Sequence, residues 1–133
     1  MPLPGVIVAL DVGTAKIGVA ASDAGRTLVF PVTTVMRRSV AKDAEVLAQI
    51  CKAREARLLV VGLPDQNERM VKLARQVGDA VATRAGLPVH YHDEGFSSAE
   101  ARARIEELQL LRSRVDEVAA TVILESWLAG QPR

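Results

Sequence analysis

Residues 7–23 read IVALDVGTAKIGVAASD. Five apolar residues, Val6–Leu10, run without a break and stop on Asp11; a Gly-Thr turn follows, and Ile17–Ala21 is apolar again. Short apolar runs bounded by turn residues read as buried strands, so Val6–Asp11 and Lys16–Ser22 are expected to pair as a hairpin across a turn at Gly13. The charged end of the first strand needs a reason. An isolated charge in an apolar setting is costly and usually becomes neutral unless a partner or a metal compensates it.

Outward from the hairpin, Thr27–Val35 (TLVFPVTTV) reads as a third strand, and Pro31 places it near a sheet edge. Val40–Glu55 switches to helical spacing, with Val40, Ala44, Leu47, Ala48 and Cys51 on one face. Arg57–Gly62 (RLLVVG) is a short apolar strand reached by a tight connection, the signature of an α/β unit with a parallel strand. Glu68–Arg84 is the next helix, with Met70, Leu73, Ala74, Val77 and Val81 spaced for burial and Gly86 as its C-cap. Leu87–His92 is a fifth strand. Two helices follow, Ser98–Leu108 and Arg114–Leu128, the second with Val115, Val118, Ala119, Val122 and Ile123 at helical spacing. The order β-β-β-α-β-α-β-α-α is an antiparallel meander followed by parallel strands with helices. That is the order of an RNase H-like α/β domain, a mixed five-stranded sheet flanked by helices. No repeat, low-complexity tract or linker interrupts residues 1–133, which read as one domain.

Composition narrows the function. A chain of 133 residues is long enough for a real core, and 49% apolar with 25% charged residues is ordinary for a soluble globular protein. A net charge of +1 gives no global signal for nucleic acid, so such a role must rest on local patches. Aromatic residues at 3% argue against the stacking platforms of single-strand binders. Cys51 is the only cysteine, which excludes an internal disulfide. The N-terminus MPLPGVIVALD lacks a basic leader, and no apolar run approaches the ~20 residues that span a bilayer. A cytoplasmic protein with no membrane contact is expected.

Asp11 has two acidic companions. Glu94 stands at the end of the fifth strand, in VHYHDEG, and Asp116 opens the last helix, in SRVDEVAATVIL. Ligands of a doubly wound sheet bind beyond the carboxyl ends of its strands, where Asp11 and Glu94 both lie. Asp116 shares a helix face with Ala120 and Ile123 and so should turn toward the sheet, while Ala119 and Ala120 allow close approach. Singly, each residue has a plainer role. Asp11 could begin a turn, Glu94 could be a solvated loop residue, and Asp116 could form a variant capping box with Ser113, as Glu100 does more cleanly with Ser97. Three acidic residues that each end or begin a buried element weigh toward one shared site. A hard, carboxylate-only set prefers Mg²⁺ or Mn²⁺. His90, His92 and Glu94 also share a strand face, which would suit zinc, but no third nitrogen or sulfur ligand accompanies them. Cys51, on an apolar helix face, reads as core.

The basic residues are local. Lys16 follows the Asp11 turn, and Arg112 and Arg114 flank the start of the last helix, all near the carboxylate rim where phosphates would lie. Arg102 and Arg104 are followed by Glu106 and Glu107 and fit a solvated face equally well.

The segments LDVGTAKIGVAASD, VVGLP at 60–64, HDEGFSS at 92–98 and VDEVAATVIL at 115–124 together resemble the YqgF family, also called RuvX: Holliday junction resolvases and nucleases that mature the 5′ end of 16S ribosomal RNA. The resemblance runs through almost the whole chain, in family order and spacing. It implies an RNase H-like fold and a divalent-metal-dependent endonuclease acting on a four-way DNA junction or precursor 16S rRNA. It also implies that Asp11, Glu94 and Asp116 are the catalytic and metal-holding residues of a two-ion site. Asp11 would bridge the ions, Glu94 and Asp116 would each complete one, and Lys16, Arg112 and Arg114 would hold the nucleic-acid backbone. Two departures bear on substrate contacts: Gly95 stands where the family usually has arginine, and the loop after VGLP reads DQNERM, without the usual glycine. Two rivals remain. LDVGT also resembles the phosphate-binding strand of sugar kinases and Hsp70-type ATPases, although those need two such domains. A non-catalytic nucleic-acid-binding protein would fit the missing arginine and the near-zero net charge. A symmetric junction needs paired cuts, so a resolvase would be a homodimer.

Overall fold

A computed structural model describes residues 3–64, 67–94, 103, 107 and 115–132, except for the side chains at positions 94, 115 and 116. The elements are β1 (Val6–Val12), β2 (Lys16–Ser22), β3 (Val29–Met36), α1 (Val40–Ala53), β4 (Ala56–Pro64), α2 (Glu68–Ala85), β5 (Val89–Glu94) and α3 (Val115–Ala129). They form one sheet in the order β3-β2-β1-β4-β5. β1 pairs antiparallel with β2, and β2 with β3, whereas β4 runs parallel to both β1 and β5. This is the expected mixed sheet, with Pro31 on the edge strand beside a register shift between Val19 and Ala20.

Strand alternation distributes the core over two layers. Val8, Leu10, Val12, Ile17, Val19, Leu59 and Val61 point to one face, where Ala44, Leu47 and Cys51 of α1 and Ala74, Val77 and Val81 of α2 cover them. Ile7, Ala9, Leu58 and Val60 point to the other, against Ile123, Leu124 and Trp127 of α3. Each fully buried aliphatic side chain contributes roughly 1.5–3 kcal/mol. Cys51 is core, as expected, and burial pushes its thiol up to about 11.

Local hydrogen bonds explain where the element ends differ from the sequence reading. Thr27 and Leu28 do not join β3, because the Asp23 carboxylate accepts both of their backbone N–H groups at 2.8 Å and the Thr27 hydroxyl at 2.9 Å. These bonds, that of Leu28 foremost, hold the Asp23 carboxyl below its usual range. α1 stops at Ala53 rather than Glu55: Arg54 N–H closes on Ile50 O, and Glu55 adopts a left-handed φ of 54°. Gly86 is the C-cap of α2 with φ 68°, and Leu87 N–H returns to Ala82 O at 3.0 Å, so β5 begins only at Val89. The helix expected over Ser98–Leu108 lies outside the described residues apart from Ala103 and Glu107, which are helical and exposed.

α3 is not amphipathic. Every residue from Val118 to Leu124 is buried, and Thr121 satisfies its hydroxyl on Glu117 O at 2.9 Å. Such a helix belongs inside the molecule, and it packs across β1, β2 and β3. Gly62 lets it sit low on the sheet, since a Cβ there would stand 2.4 Å from Ile123 Cδ1 and 2.9 Å from Cγ1. No described helix is long and apolar enough to cross a membrane.

Candidate active site

Asp11 lies near the carboxyl end of β1, opposite Gly18 of β2. Alternation gives it the parity of Ile7 and Ala9, so it belongs to the face that α3 covers, and it is half-buried. Leu10 and Val12, on either side, are buried in the opposite layer. The chain then turns tightly: Gly13 N–H donates to Lys16 O at 2.8 Å, and a Cβ on Gly13 would come within 2.9 Å of that oxygen. Only glycine fits there. Thr14, Ala15 and Lys16 form an exposed tip beside Asp11, with Lys16 as the first residue of β2.

β5 presents its alternate residues to the two layers. Tyr91 turns to α2, where its hydroxyl donates to Asp79 Oδ1 at 2.5 Å. His90 and His92 turn to α3: His92 Nε2 lies 3.0 Å from Ser126 Oγ, and His90 meets Trp127 edge-on at 5.8 Å between ring centroids. Burial pushes the His92 imidazole down, with Asp93 opposing. Both rings of the zinc reading thus face α3 side chains, and the Glu94 side chain it also requires lies outside the described residues.

Glu94 is the last residue of β5, in register with Pro64, and Asp116 is the second residue of α3; their side chains lie outside the described residues. Because β1 and β5 both run parallel to β4, Asp11 and Glu94 occupy strand ends on the same rim of the sheet. α3 runs the other way. Its last turns, at Trp127 and Leu128, pack with Ile7, Leu58 and Val29 near the opposite rim, and Ile123 sits at Gly62. Asp116 is two turns upstream of Ile123, roughly 10 Å along the axis, toward the rim of Asp11 and Glu94. Arg112 and Arg114 lie outside the described residues, as do Gly95, Arg102, Arg104, the Ser97–Glu100 box and Ser113. Of the DQNERM loop, Asn67 caps α2, its Oδ1 accepting Met70 N–H at 3.1 Å. A cleft of about 770 Å³ lies at the far rim, lined by Pro4, Arg26, Thr27, Trp127 and Gln131 among others, away from Asp11.

The sequence reading missed an ion pair beside the Asp11 turn. Arg37 Nε lies 2.6 Å from Asp43 Oδ2, with the two side chains 13% and 1% exposed. Asp43 Oδ1 also accepts Arg38 N–H at 3.0 Å, and Arg37 reaches Gly13 O through Nη1 at 3.4 Å. One signal was available: Asp43 stands three residues after Val40, on the apolar stripe of α1, where a charge needs a partner.

The RuvX family, described as Holliday junction resolvase, matches residues 5–130. A protein of Neisseria gonorrhoeae named as a pre-16S rRNA nuclease is 38% identical over 136 residues, covering 96% of this chain and 90% of its own. A protein of the same name from Crocosphaera subtropica is 34% identical over 127 residues, covering 90% and 89%. Among solved structures, RuvC of T. thermophilus in complex with a Holliday junction substrate superposes with a TM-score of 0.64 at 12% identity, covering 94% of each chain. At that identity the likeness concerns the fold, which is RNase H-like as the element order indicated.

Proposed function

The chain belongs to the RuvX family of Holliday junction resolvases and is an endonuclease of the hydrolase class, and we propose that it cuts structured nucleic acid using divalent ions held by Asp11, Glu94 and Asp116. The observation that carries this reading is the position of Asp11. It is a half-buried carboxylate on the α3 face of a central strand, at the rim where β5 ends and toward which α3 begins. The donor chemistry fits a hard cation. Asp11 offers oxygen, Glu94 and Asp116 would add only oxygen, the imidazoles of β5 face Ser126 and Trp127, and Cys51 lies in the opposite layer. Such a set favours Mg²⁺ or Mn²⁺ over zinc. When bound, two such ions lower the proton affinity of the attacking water and offset charge on the leaving oxygen.

The chain's own groups supply the rest. Asp11 would hold both ions, with Glu94 and Asp116 each completing one. Lys16, exposed on the tip after Asp11, would hold a substrate phosphate, and Arg112 and Arg114 would grip the backbone on either side of the cut. These phosphate contacts set position and carry no sequence information, as suits an enzyme that recognises shape. For a four-way junction the paired cuts would call for a two-fold dimer.

The test is cleavage of a four-way DNA junction and a precursor 16S rRNA side by side, with and without Mn²⁺. Metal-dependent cutting of at least one of them is expected, and the faster one identifies the substrate. Tight binding of both without any cleavage at any Mn²⁺ concentration would replace this reading with a non-catalytic binding protein.

A further inference from the structure

We propose that Arg37 and Asp43 are a positioning pair for this site, their ion pair fixing the Gly13–Ala15 turn and with it the end of the strand that carries Asp11. The proposal rests on the metal-site reading of Asp11. A buried ion pair is a poor source of stability, because desolvation of two charges offsets most of their attraction. The bonds around this one point to another role. Arg37 engages the turn twice: its backbone N–H donates to Ala15 O at 2.9 Å, and its Nη1 donates to Gly13 O at 3.4 Å. Its Nε is spent on Asp43 Oδ2 at 2.6 Å. The second oxygen of Asp43 accepts Arg38 N–H at 3.0 Å, so one carboxylate fixes both the side chain and the backbone at the exit of β3.

Asp43 is itself held. It lies in the first turn of α1, where its N–H donates to Ser39 O at 2.8 Å and the Ser39 side chain accepts from Lys42 N–H at 3.1 Å. A continuous set of bonds thus leads from the start of α1 through Asp43 and Arg37 to Gly13, two residues past Asp11. The register agrees, since Met36 pairs with Lys16 and Arg37 follows directly beside the turn. Within the turn itself, Gly13 N–H donates to Lys16 O at 2.8 Å, and Arg37 adds the bonds to Gly13 O and Ala15 O from outside it. Carboxylates that hold ions must be set to within about half an ångström, and the groups that orient them are typically worth 10–100-fold in metal affinity or activity.

Arginine and lysine separate positioning from mere bracing. A planar guanidinium can bond Asp43 and Gly13 O at once from different nitrogens; an ammonium can neutralise Asp43 but does not reproduce that fork. Asp43→Asn keeps the shape and the acceptor for Arg38 N–H while removing the charge that orients Arg37. The experiment compares the wild type, Arg37→Lys, Asp43→Asn and Asp11→Asn in three measurements. These are Mn²⁺ affinity by calorimetry without substrate, kcat and KM for cleavage of junction DNA, and melting temperature. Arg37→Lys and Asp43→Asn are expected to weaken Mn²⁺ binding about 10-fold and to lower kcat, with KM for the DNA within about twofold of wild type. Lower melting temperatures with wild-type Mn²⁺ affinity and kcat would overturn the proposal and leave a structural brace, and an effect confined to KM would overturn it in favour of substrate contact. Asp11→Asn reports separately: wild-type Mn²⁺ affinity and cleavage in that variant would defeat the metal-site reading itself, whatever Arg37 does.

Discussion

Asp11→Asn, Glu94→Gln and Asp116→Asn are each expected to reduce nucleic-acid cleavage about a thousandfold or more, the equivalent of roughly 4 kcal/mol of transition-state stabilisation. The substitutions are isosteric, so they remove charge without removing volume. Asp11 sits at a strand end whose neighbours Leu10 and Val12 keep the strand buried, and Asn at that position leaves the packing intact. Phosphodiester hydrolysis brings an attacking oxygen and a leaving oxygen together beside an anion, and the proposed site answers this with cations held by three carboxylates. An amide is a far weaker ligand for a hard cation. Circular dichroism should show wild-type secondary structure for all three variants. Cleavage at wild-type rate by any two of them would show that the site is misplaced.

The second large effect concerns Gly62. A Cβ there would lie 2.4 and 2.9 Å from Cδ1 and Cγ1 of Ile123, so the isoleucine or the helix that carries it must shift. Gly62→Ala should therefore push α3 off the sheet, at a cost of about 1–3 kcal/mol, or a fall in melting temperature of roughly 3–10 °C for a chain of this length. Ile123→Ala alone should cost about 2–5 kcal/mol through the cavity it leaves. The double variant should be less destabilised than the sum of the two, by about 0.5–3 kcal/mol, because the new methyl group occupies the space that isoleucine vacates. α3 carries Asp116 in its first turn, so Gly62→Ala should also lower cleavage per folded molecule. Additive stability effects, with full activity in Gly62→Ala, would mean that the helix does not depend on the glycine for its seat.

Most of the fold could be read from the residues because unbroken apolar runs between turn residues marked the buried strands and helical spacing marked α1 and α2. Two apolar runs separated by Gly13 gave the hairpin, and the β2 bounds match the expectation at both ends. The elements that drifted did so where side chains or caps intervened: Asp23 draws off Thr27 and Leu28, and the left-handed Glu55 ends α1 early. The site was legible in part. Alternation correctly put His90 and His92 on one face of β5, but periodicity cannot say what lies opposite, and there the structure has Ser126 and Trp127 of α3. The Arg37–Asp43 pair escaped for a related reason. It joins residues six apart through the entry to α1 and then crosses to Gly13 in another strand connection, a relation no single-element pattern contains. Gly62 escaped because a glycine in a strand marks close approach without naming the side chain that approaches.

In the proposed site Asp11 is one of several carboxylates gathered to hold divalent ions. The most direct measurement of that role is the melting temperature of the wild type and of Asp11→Asn, each with and without Mn²⁺ and with no nucleic acid present. Carboxylates gathered without a metal repel one another, and a ligand of the native state stabilises it by about 2.7 kcal/mol at a hundred times its dissociation constant. Mn²⁺ is expected to raise the wild-type melting temperature by roughly 5–10 °C, whereas Asp11→Asn should melt higher than the wild type in metal-free buffer and respond much less to Mn²⁺. A metal-free Asp11→Asn protein that melts lower than the wild type, together with a wild type that ignores Mn²⁺, would contradict that role and make Asp11 a structural turn residue.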